Sequence, residues 1–310
     1  MTAAVPSGAV WKAQTRDLRT DLDLTREELL YLLEVAQKVK SSPGRYSNAL
    51  SSRYLTLLFE KPSLRTRLTF ELAIKQLGGD AVTVTGPIGD REPLKDIARN
   101  LERWTNGIVA RVFHQDTIED LARWSQVPVI NALSDLYHPC QALADMLTLQ
   151  EQFGDLRGRK LAFVGDGNNV AHSLMLCCAR LGMSFSLACP PGYEPKPSIV
   201  EQARALGGRV EIVNDPFRAV ESADVVYTDV WASMGQESET EERRQRFEPF
   251  QINETLMAAG PNHMRFMHCL PAKRGEELTD AVAECENSVI FDQAENRLHA
   301  QKALLLMMLD

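Results

Sequence analysis

Residues Phe59–Glu71 read FEKPSLRTRLTFE, and the fold turns on how this stretch is understood. The apolar run Tyr54–Phe59 leading into it has the length and composition of a buried strand. After the turn at Lys61-Pro62, Leu64, Leu68, Leu72 and Leu77 recur at roughly helical spacing. The join therefore predicts a helix N-terminus at Ser63–Thr66, above the end of a strand. Free backbone N–H groups and the positive end of the helix dipole meet there, an arrangement that suits phosphate or carboxylate. Arg65 adds a planar fork of donors, and Ser63 and Thr66 add hydroxyls. The competing reading is an ordinary N-cap at Ser63 followed by solvated arginines. Partners from other stretches have to decide between the two.

At 310 residues the chain is long enough for one large or two medium α/β domains. Its formal charge of −8 argues against a nucleic-acid or acidic-membrane partner, so an anionic substrate needs a local cluster of positive groups. No apolar run approaches the roughly 18 residues of a membrane span. The N-terminal stretch shows no secretory h-region, and Asp17, Asp21 and Asp23 interrupt its basic residues, unlike a transit peptide. The six cysteines form no CxxC pair, a pattern expected of a reducing, cytoplasmic compartment.

Outward from the opening stretch, the pattern alternates. Helices are predicted at Thr25–Lys40, with Glu28 completing a capping box on Thr25, and at Leu94–Trp104, Ile118–Trp124 and His138–Phe153. Further helices are predicted at Val170–Leu181, Ile199–Leu206 and Ala294–Met308. Strands are predicted at Asp80–Thr85, Gly107–Phe113, Val127–Ala132, Lys160–Gly165, Ser184–Cys189 and Arg209–Val213. Three more follow at Asp224–Trp231, Arg265–Leu270 and Ser288–Asp292. Near-continuous apolar strands alternating with helices indicate parallel sheets covered on both faces. The polar, Gly-rich Gly154–Arg159 separates two such series, giving domains 1–150 and 151–310. Glu237–Arg246 reads as a mobile loop or exposed helix.

Gly165-Asp-Gly-Asn-Asn169 follows a strand but lacks the third glycine of a dinucleotide fingerprint. The next strand ends in Cys189-Pro190-Pro191, where a ribose-binding acid belongs, so no dinucleotide cofactor is expected. The turn reads better as one that presents Asn168 and Asn169 to a small polar ligand. His138 and Gln141, three apart, share one side of a helix's first turn. Zinc held by His138, Cys140, His268 and Cys269 lacks paired ligand spacing, so no metal is expected either. Arg111, Asp229, Cys269 and Arg297 each stand at a strand end or on the segment after one. Taken singly, such an Arg or Asp is a surface ion pair. Together they fit a charged phosphate, a polarised carbonyl and an amino acid.

These motifs resemble the aspartate/ornithine carbamoyltransferase family, and its ornithine branch most closely. The matching pieces run in order: SLRTR at Ser63–Arg67, ARV at Ala110–Val112, LSDLYHPCQALAD at Leu133–Asp145, and GDGNN at Gly165–Asn169. DVWASMGQE at Asp229–Glu237, HCLPAKRGEE at His268–Glu277 and FDQAENRLHAQKALL at Phe291–Leu305 complete the set. The resemblance implies two Rossmann-like domains, each a parallel sheet flanked by helices, with the C-terminal helix (about 294–310) returning to the first. It implies carbamoyl phosphate held by Ser63, Leu64 through its backbone N–H, Arg65, Thr66, Arg111, His138, Gln141 and Arg297, with Cys269 and Leu270 between the two substrates. Asn169, Asp229, Ser233 and Met234 match the ornithine-binding positions, and Arg111, His138, Asp229 and Cys269 the catalytic ones. It further implies citrulline formation, a place in arginine metabolism and a homotrimer. SMG argues against an acylated ornithine, and the C-terminal stretch leaves little room for the extra helix of a putrescine-specific relative. Two departures stand out: Leu64 replaces a common threonine, and the loop Gly86–Pro93 is short, with Pro93 at a common serine position.

Overall fold

The computed structural model describes residues 12–232 and 239–309. The chain divides into two compact units, one of Met1–Leu147 with Glu295–Asp310 and one of Thr148–Ala294. The first carries strands β1 (Tyr54–Phe59), β2 (Asp80–Thr85), β3 (Gly107–Arg111) and β4 (Val129–Leu133). Its helices are α1 (Arg26–Ser41), α2 (Leu64–Gln76), α3 (Leu94–Trp104), α4 (Gln115–Trp124) and most of α5 (Pro139–Phe153). The second carries β5 (Lys160–Val164), β6 (Ser184–Ala188), β7 (Arg209–Val213), β8 (Val225–Thr228) and β9 (Arg265–His268). Its helices are α6 (Asn169–Leu181), α7 (Pro197–Ala205), α8 (Pro216–Val220), α9 (Thr240–Phe247), α10 (Glu254–Ala259), α11 (Asp280–Ala283) and the start of α12 (Ile290–Leu309). Among the described residues, no helix is long and apolar enough to cross a membrane.

Both sheets are parallel, in the orders β2-β1-β3-β4 and β7-β6-β5-β8-β9. The winding reverses between β1 and β3 in the first sheet and between β5 and β8 in the second. A parallel sheet opens a crevice beyond its strand ends at such a reversal, because successive connections leave on opposite faces. Right there the first sheet ends in Phe59 and Arg111, which pair in register, and the second leads into Gly165 and Asp229.

The central strands are apolar because both faces are covered: Leu55, Leu57, Ile108 and Val109 in the first sheet and Leu161, Phe163, Val225 and Tyr227 in the second are fully buried. The edge strand β2 departs from the expected double cover, since Val82 and Val84 lie exposed. The leucine spacing that marks α2 identifies the helix but not its core face. Phe70, Ala73 and Ile74 are buried, whereas Leu64, Leu68 and Leu72 form an exposed stripe. Thr25 and Glu28 close the expected capping box on α1.

One predicted strand is corrected. Ser288 makes only an isolated bridge to Phe266, and Ile290–Asp292 already belong to α12. Short apolar runs do not separate strand from helix by periodicity, and Val289-Ile290-Phe291 is such a run. The bridge satisfies the edge of β9, since Phe266 N–H donates to Asn287 O and Val289 N–H to Phe266 O, and the chain then coils. The far end of α12 packs on the first unit, where Met307 O accepts from Ala13 N–H and Leu309 lies against Gly107. The start of Glu237–Arg246 lies outside the described residues, and from Thr240 the chain is helix α9.

Candidate active site

The first unit builds its site on the turn between β1 and α2. Ser63 is the N-cap of α2, its hydroxyl accepting from Thr66 N–H at 3.3 Å. That bond orients the first turn, whose N–H groups at residues 64 and 65 point along the helix axis, the geometry with which a helix terminus can receive an anion. Arg65 stands in that turn, and Leu64 is 71% exposed, opening the apolar stripe.

Three distant stretches converge behind the turn. Thr66 is fully buried, and its hydroxyl accepts from Arg297 Nη2 at 2.6 Å. Arg297 Nη1 donates to Gln141 Oε1 at 2.9 Å, and Gln141 Nε2 donates to Asp145 Oδ1 at 2.8 Å. A guanidinium held at two points offers its remaining edge in a fixed direction, which is how arginine binds phosphate oxygens. The fork links residues 66, 141 and 297 because α12 runs back into this unit.

His138 O accepts from Gln141 and Ala142 N–H at the start of α5. Its ring is buried, and burial, then the charges of Arg297 and Arg111, hold it well below the usual histidine range. It is therefore neutral at neutral pH and acts as a hydrogen-bonding dipole, not a cation. Cys140 beside it is pushed up to about 12 by burial, and its thiol donates to Asn131 O, so it is a packed side chain. Arg111 ends β3 at a register shift against β4. A bulge of that kind re-aims a side chain at a strand tip.

The second unit builds its site around Asp229, just past β8. Oδ1 accepts from the Cys269 thiol at 3.0 Å and from Val230 N–H at 2.8 Å, and Oδ2 accepts from Asn168 Nδ2 at 2.8 Å. Asn168 also caps α6, its Oδ1 accepting from Val170 and Ala171 N–H. One side chain thus ties the helix terminus to the carboxylate, while Asn169 is the first residue of α6. Gly167 serves close packing: an added Cβ would lie 2.2 Å from Pro195 N. The close approach of the Glu194–Pro195 backbone therefore requires glycine at this turn.

Leu270 has φ of 56°, and its N–H donates to His268 Nδ1 at 2.8 Å. With Nδ1 accepting, Nε2 carries the proton and faces Glu277 Oε1 at 3.2 Å. This buried pair fixes the turn bearing Cys269 and Leu270. No group of three or more His, Cys, Asp or Glu side chains able to hold a metal ion occurs among the described residues. Ser233 and Met234 lie outside the described residues.

Two supporting residues escaped the sequence reading. Arg243 on α9 is buried, donating to Asp166 Oδ2 at 2.8 Å and to Trp231 O at 2.9 Å, with its guanidinium 4.9 Å from the Tyr193 ring centre. It braces the turns that carry Asn168 and Asp229. Burial, partly offset by Arg243, raises Asp166 above the usual carboxylate range. The one available signal was Arg243 and Phe247 four apart in an otherwise polar helix, marking the side that docks. The other residue is Glu60.

Both units are doubly wound, one gathering Ser63, Thr66 and Arg297 near its reversal and the other a carboxylate–thiol pair near its own. The chain belongs to the aspartate/ornithine carbamoyltransferase family. Residues 16–151 match that family's carbamoyl-P binding domain and residues 157–308 its Asp/Orn binding domain. An ornithine carbamoyltransferase of Thermococcus kodakarensis is 49% identical over 303 residues, covering 95% of this chain and 96% of that protein. A relative from Pyrococcus furiosus, named as the anabolic ornithine carbamoyltransferase, is 49% identical over 304 residues, 95% of this chain and 96% of its own. The solved ornithine carbamoyltransferase structure from Pyrococcus furiosus superposes with a TM-score of 0.91 at 48% identity, covering 95% of this chain and 97% of that one.

Proposed function

We propose that this chain is an ornithine carbamoyltransferase, joining carbamoyl phosphate and L-ornithine to give L-citrulline and phosphate. The observation that carries the reading is the Arg297 fork on Thr66 and Gln141, which orients a guanidinium beside the helix terminus of Ser63. Carbamoyl phosphate is assigned to Ser63, the Leu64 N–H, Arg65, Thr66, Arg111, His138, Gln141 and Arg297, and the ornithine amines to Asn169, Asp229, Ser233 and Met234. Cys269, bonded to Asp229, and Leu270 are assigned to the place where the substrates meet.

The δ-ammonium of ornithine must lose a proton before it attacks. At a pKa near ~10.4, that costs roughly 4–5 kcal/mol at pH 7. Holding two reactants together contributes about 7–11 kcal/mol, so no strong base is required. The amine nitrogen bonds to the carbonyl carbon, and negative charge grows on the carbonyl oxygen. Arg111, the neutral ring of His138 and Thr66 donate to that oxygen. The carbonyl then re-forms as the C–O bond to phosphate breaks, Arg65 and Ser63 stabilise the departing phosphate, and its oxygens take the second amine proton to give the hydrogen phosphate dianion. Asp229 orients the amine, and Cys269 tunes it without becoming carbamoylated.

The leucine stripe Leu64–Leu68–Leu72 supports a homotrimer, with a second copy covering that face of α2. None of the six cysteines forms a disulfide, which supports a reducing, cytoplasmic location. The test is product formation from carbamoyl phosphate with ornithine, N-acetylornithine, N-succinylornithine, putrescine or aspartate as acceptor. Citrulline from ornithine at a kcat/KM at least a hundredfold above every other acceptor supports the reading. Preference for another amine, or no transfer, overturns it.

A further inference from the structure

The strands that carry the anion site stop before the loops they must hold, and one side chain continues the ladder. β1 ends at Phe59, level with Thr85 of β2 and Arg111 of β3. The backbone pairing runs one step further: Gly86 N–H donates to Phe59 O, and Glu60 N–H donates to Arg111 O at 2.9 Å. Beyond that point β1 turns away toward Lys61-Pro62, and its neighbours have lost the strand whose carbonyls they would use.

The Glu60 carboxylate takes that place on both sides at once. Its Oε2 accepts from Phe113 N–H at 2.8 Å, two residues past Arg111. Its Oε1 accepts from Ile88 N–H at 3.2 Å, in the loop that follows β2. A carboxylate has two acceptor oxygens and no donor, so it can replace two missing backbone carbonyls where a glutamine can replace only one. Lys61 adds a second hold on the same residue, its ammonium 4.6 Å from the Phe113 ring centre.

The position matters because of the register shift at Arg111. On the β4 side, Arg111 pairs with Leu133 out of step with Ala110 and Asn131, and Val112 N–H donates to Leu133 O. Regular ladder geometry does not set the direction of Arg111 there. On the β1 side, Glu60 holds the two peptides that follow Arg111, the first by its backbone N–H on Arg111 O and the second by its carboxylate on Phe113 N–H. We infer that Glu60 is a positioning residue for Arg111: through Phe113 N–H and Ile88 N–H it fixes the strand tip and adjoining loop, so that the guanidinium meets the carbonyl oxygen as charge develops.

This rests on the carbamoyl-transfer reading above. A donor aimed at charge present only in the transition state affects kcat, whereas the helix terminus and Arg297 bind the phosphate in the ground state as well. Glu60→Gln is nearly isosteric, keeps one acceptor and loses the other. A displacement of about 1 Å at such a group costs on the order of 100-fold.

The test is steady-state citrulline formation by wild type, Glu60→Gln, Glu60→Asp, Arg111→Ala and the double variant Glu60→Gln/Arg111→Ala, with each melting temperature measured. Wild type must turn over carbamoyl phosphate and ornithine; if it does not, the carbamoyl-transfer reading fails, and this inference with it. Given turnover, Glu60→Gln is expected to lower kcat roughly 30- to 100-fold with KM for carbamoyl phosphate within about threefold. The double variant is expected to match Arg111→Ala alone, because Glu60 acts through that residue. The inference is overturned, with the enzyme reading intact, in either of two ways. One is a wild-type kcat in both Glu60 variants; the other is a Glu60→Gln loss that multiplies in full onto Arg111→Ala.

Discussion

Replacing Arg297 by lysine keeps the charge and removes the fork. In the native site Nη2 reaches Thr66 Oγ1 at 2.6 Å and Nη1 reaches Gln141 Oε1 at 2.9 Å, in a residue 3% exposed. A single ammonium on a shorter head cannot hold both acceptors and still face the phosphate. One hydrogen bond to a charged group is lost, worth about 1.5–3 kcal/mol. If that bond orients the group that grips carbamoyl phosphate, kcat/KM for this substrate falls roughly 10- to 150-fold, since each 1.36 kcal/mol is a factor of ten. KM for ornithine should move less than threefold, because Asp229 and Cys269 belong to the other unit. The assay is citrulline formation with carbamoyl phosphate varied at saturating ornithine, alongside a melting curve. A folded Arg297→Lys enzyme with wild-type kcat/KM would refute the assignment of Arg297 to the phosphate.

Asp229→Asn removes the charge, keeps only one of the two oxygens that accept from Cys269 and Asn168 and turns the other position into a donor; it should lower kcat/KM for ornithine at least 100-fold, leaving KM for carbamoyl phosphate within threefold in the same assay. Arg243→Met leaves the Asp166 carboxylate buried and unpaired, and should lower stability by about 3 kcal/mol in urea titration. His138 is held below its unfolded value, so the unfolded chain binds the extra proton first. Stability is therefore full above about pH 6.5 and falls as pH drops toward the folded value, and His138→Asn should flatten that slope in denaturant titrations across pH 4–8. On the proposed homotrimer, Leu68→Glu places a charge in the exposed stripe and should shift mass toward monomer in analytical ultracentrifugation.

Much of the architecture was legible because parallel strands buried on both faces carry unbroken apolar runs, as residues 57–59 and 161–164 do. Helix α2 was legible from its leucines, yet those leucines are exposed, so spacing gave the period and not the buried face. The start of α12 was misread as a strand because Val289-Ile290-Phe291 fits either structure. For the candidate site, the positions of Ser63, Arg111 and Asp229 at or just past strand tips were legible, because the apolar runs of β1, β3 and β8 end there. Pairings between distant residues were not readable. The Arg297 bonds to Thr66 and Gln141, and the Arg243 bond to Asp166, depend on where α12 and α9 dock. Glu60 was hidden for a different reason: its partners are backbone N–H groups, which leave no mark on residue identity.

Direct displacement is tested most plainly by mixing the enzyme with carbon-labelled carbamoyl phosphate in the absence of amine, quenching within milliseconds, and then adding ornithine in a second mix. Attack by the ornithine δ-amine predicts no label on protein and no stoichiometric burst of phosphate before the amine arrives, with all label entering citrulline afterwards. Label held on the chain at one equivalent per site, removed by Cys269→Ser, would show a carbamoylated thiol and contradict it.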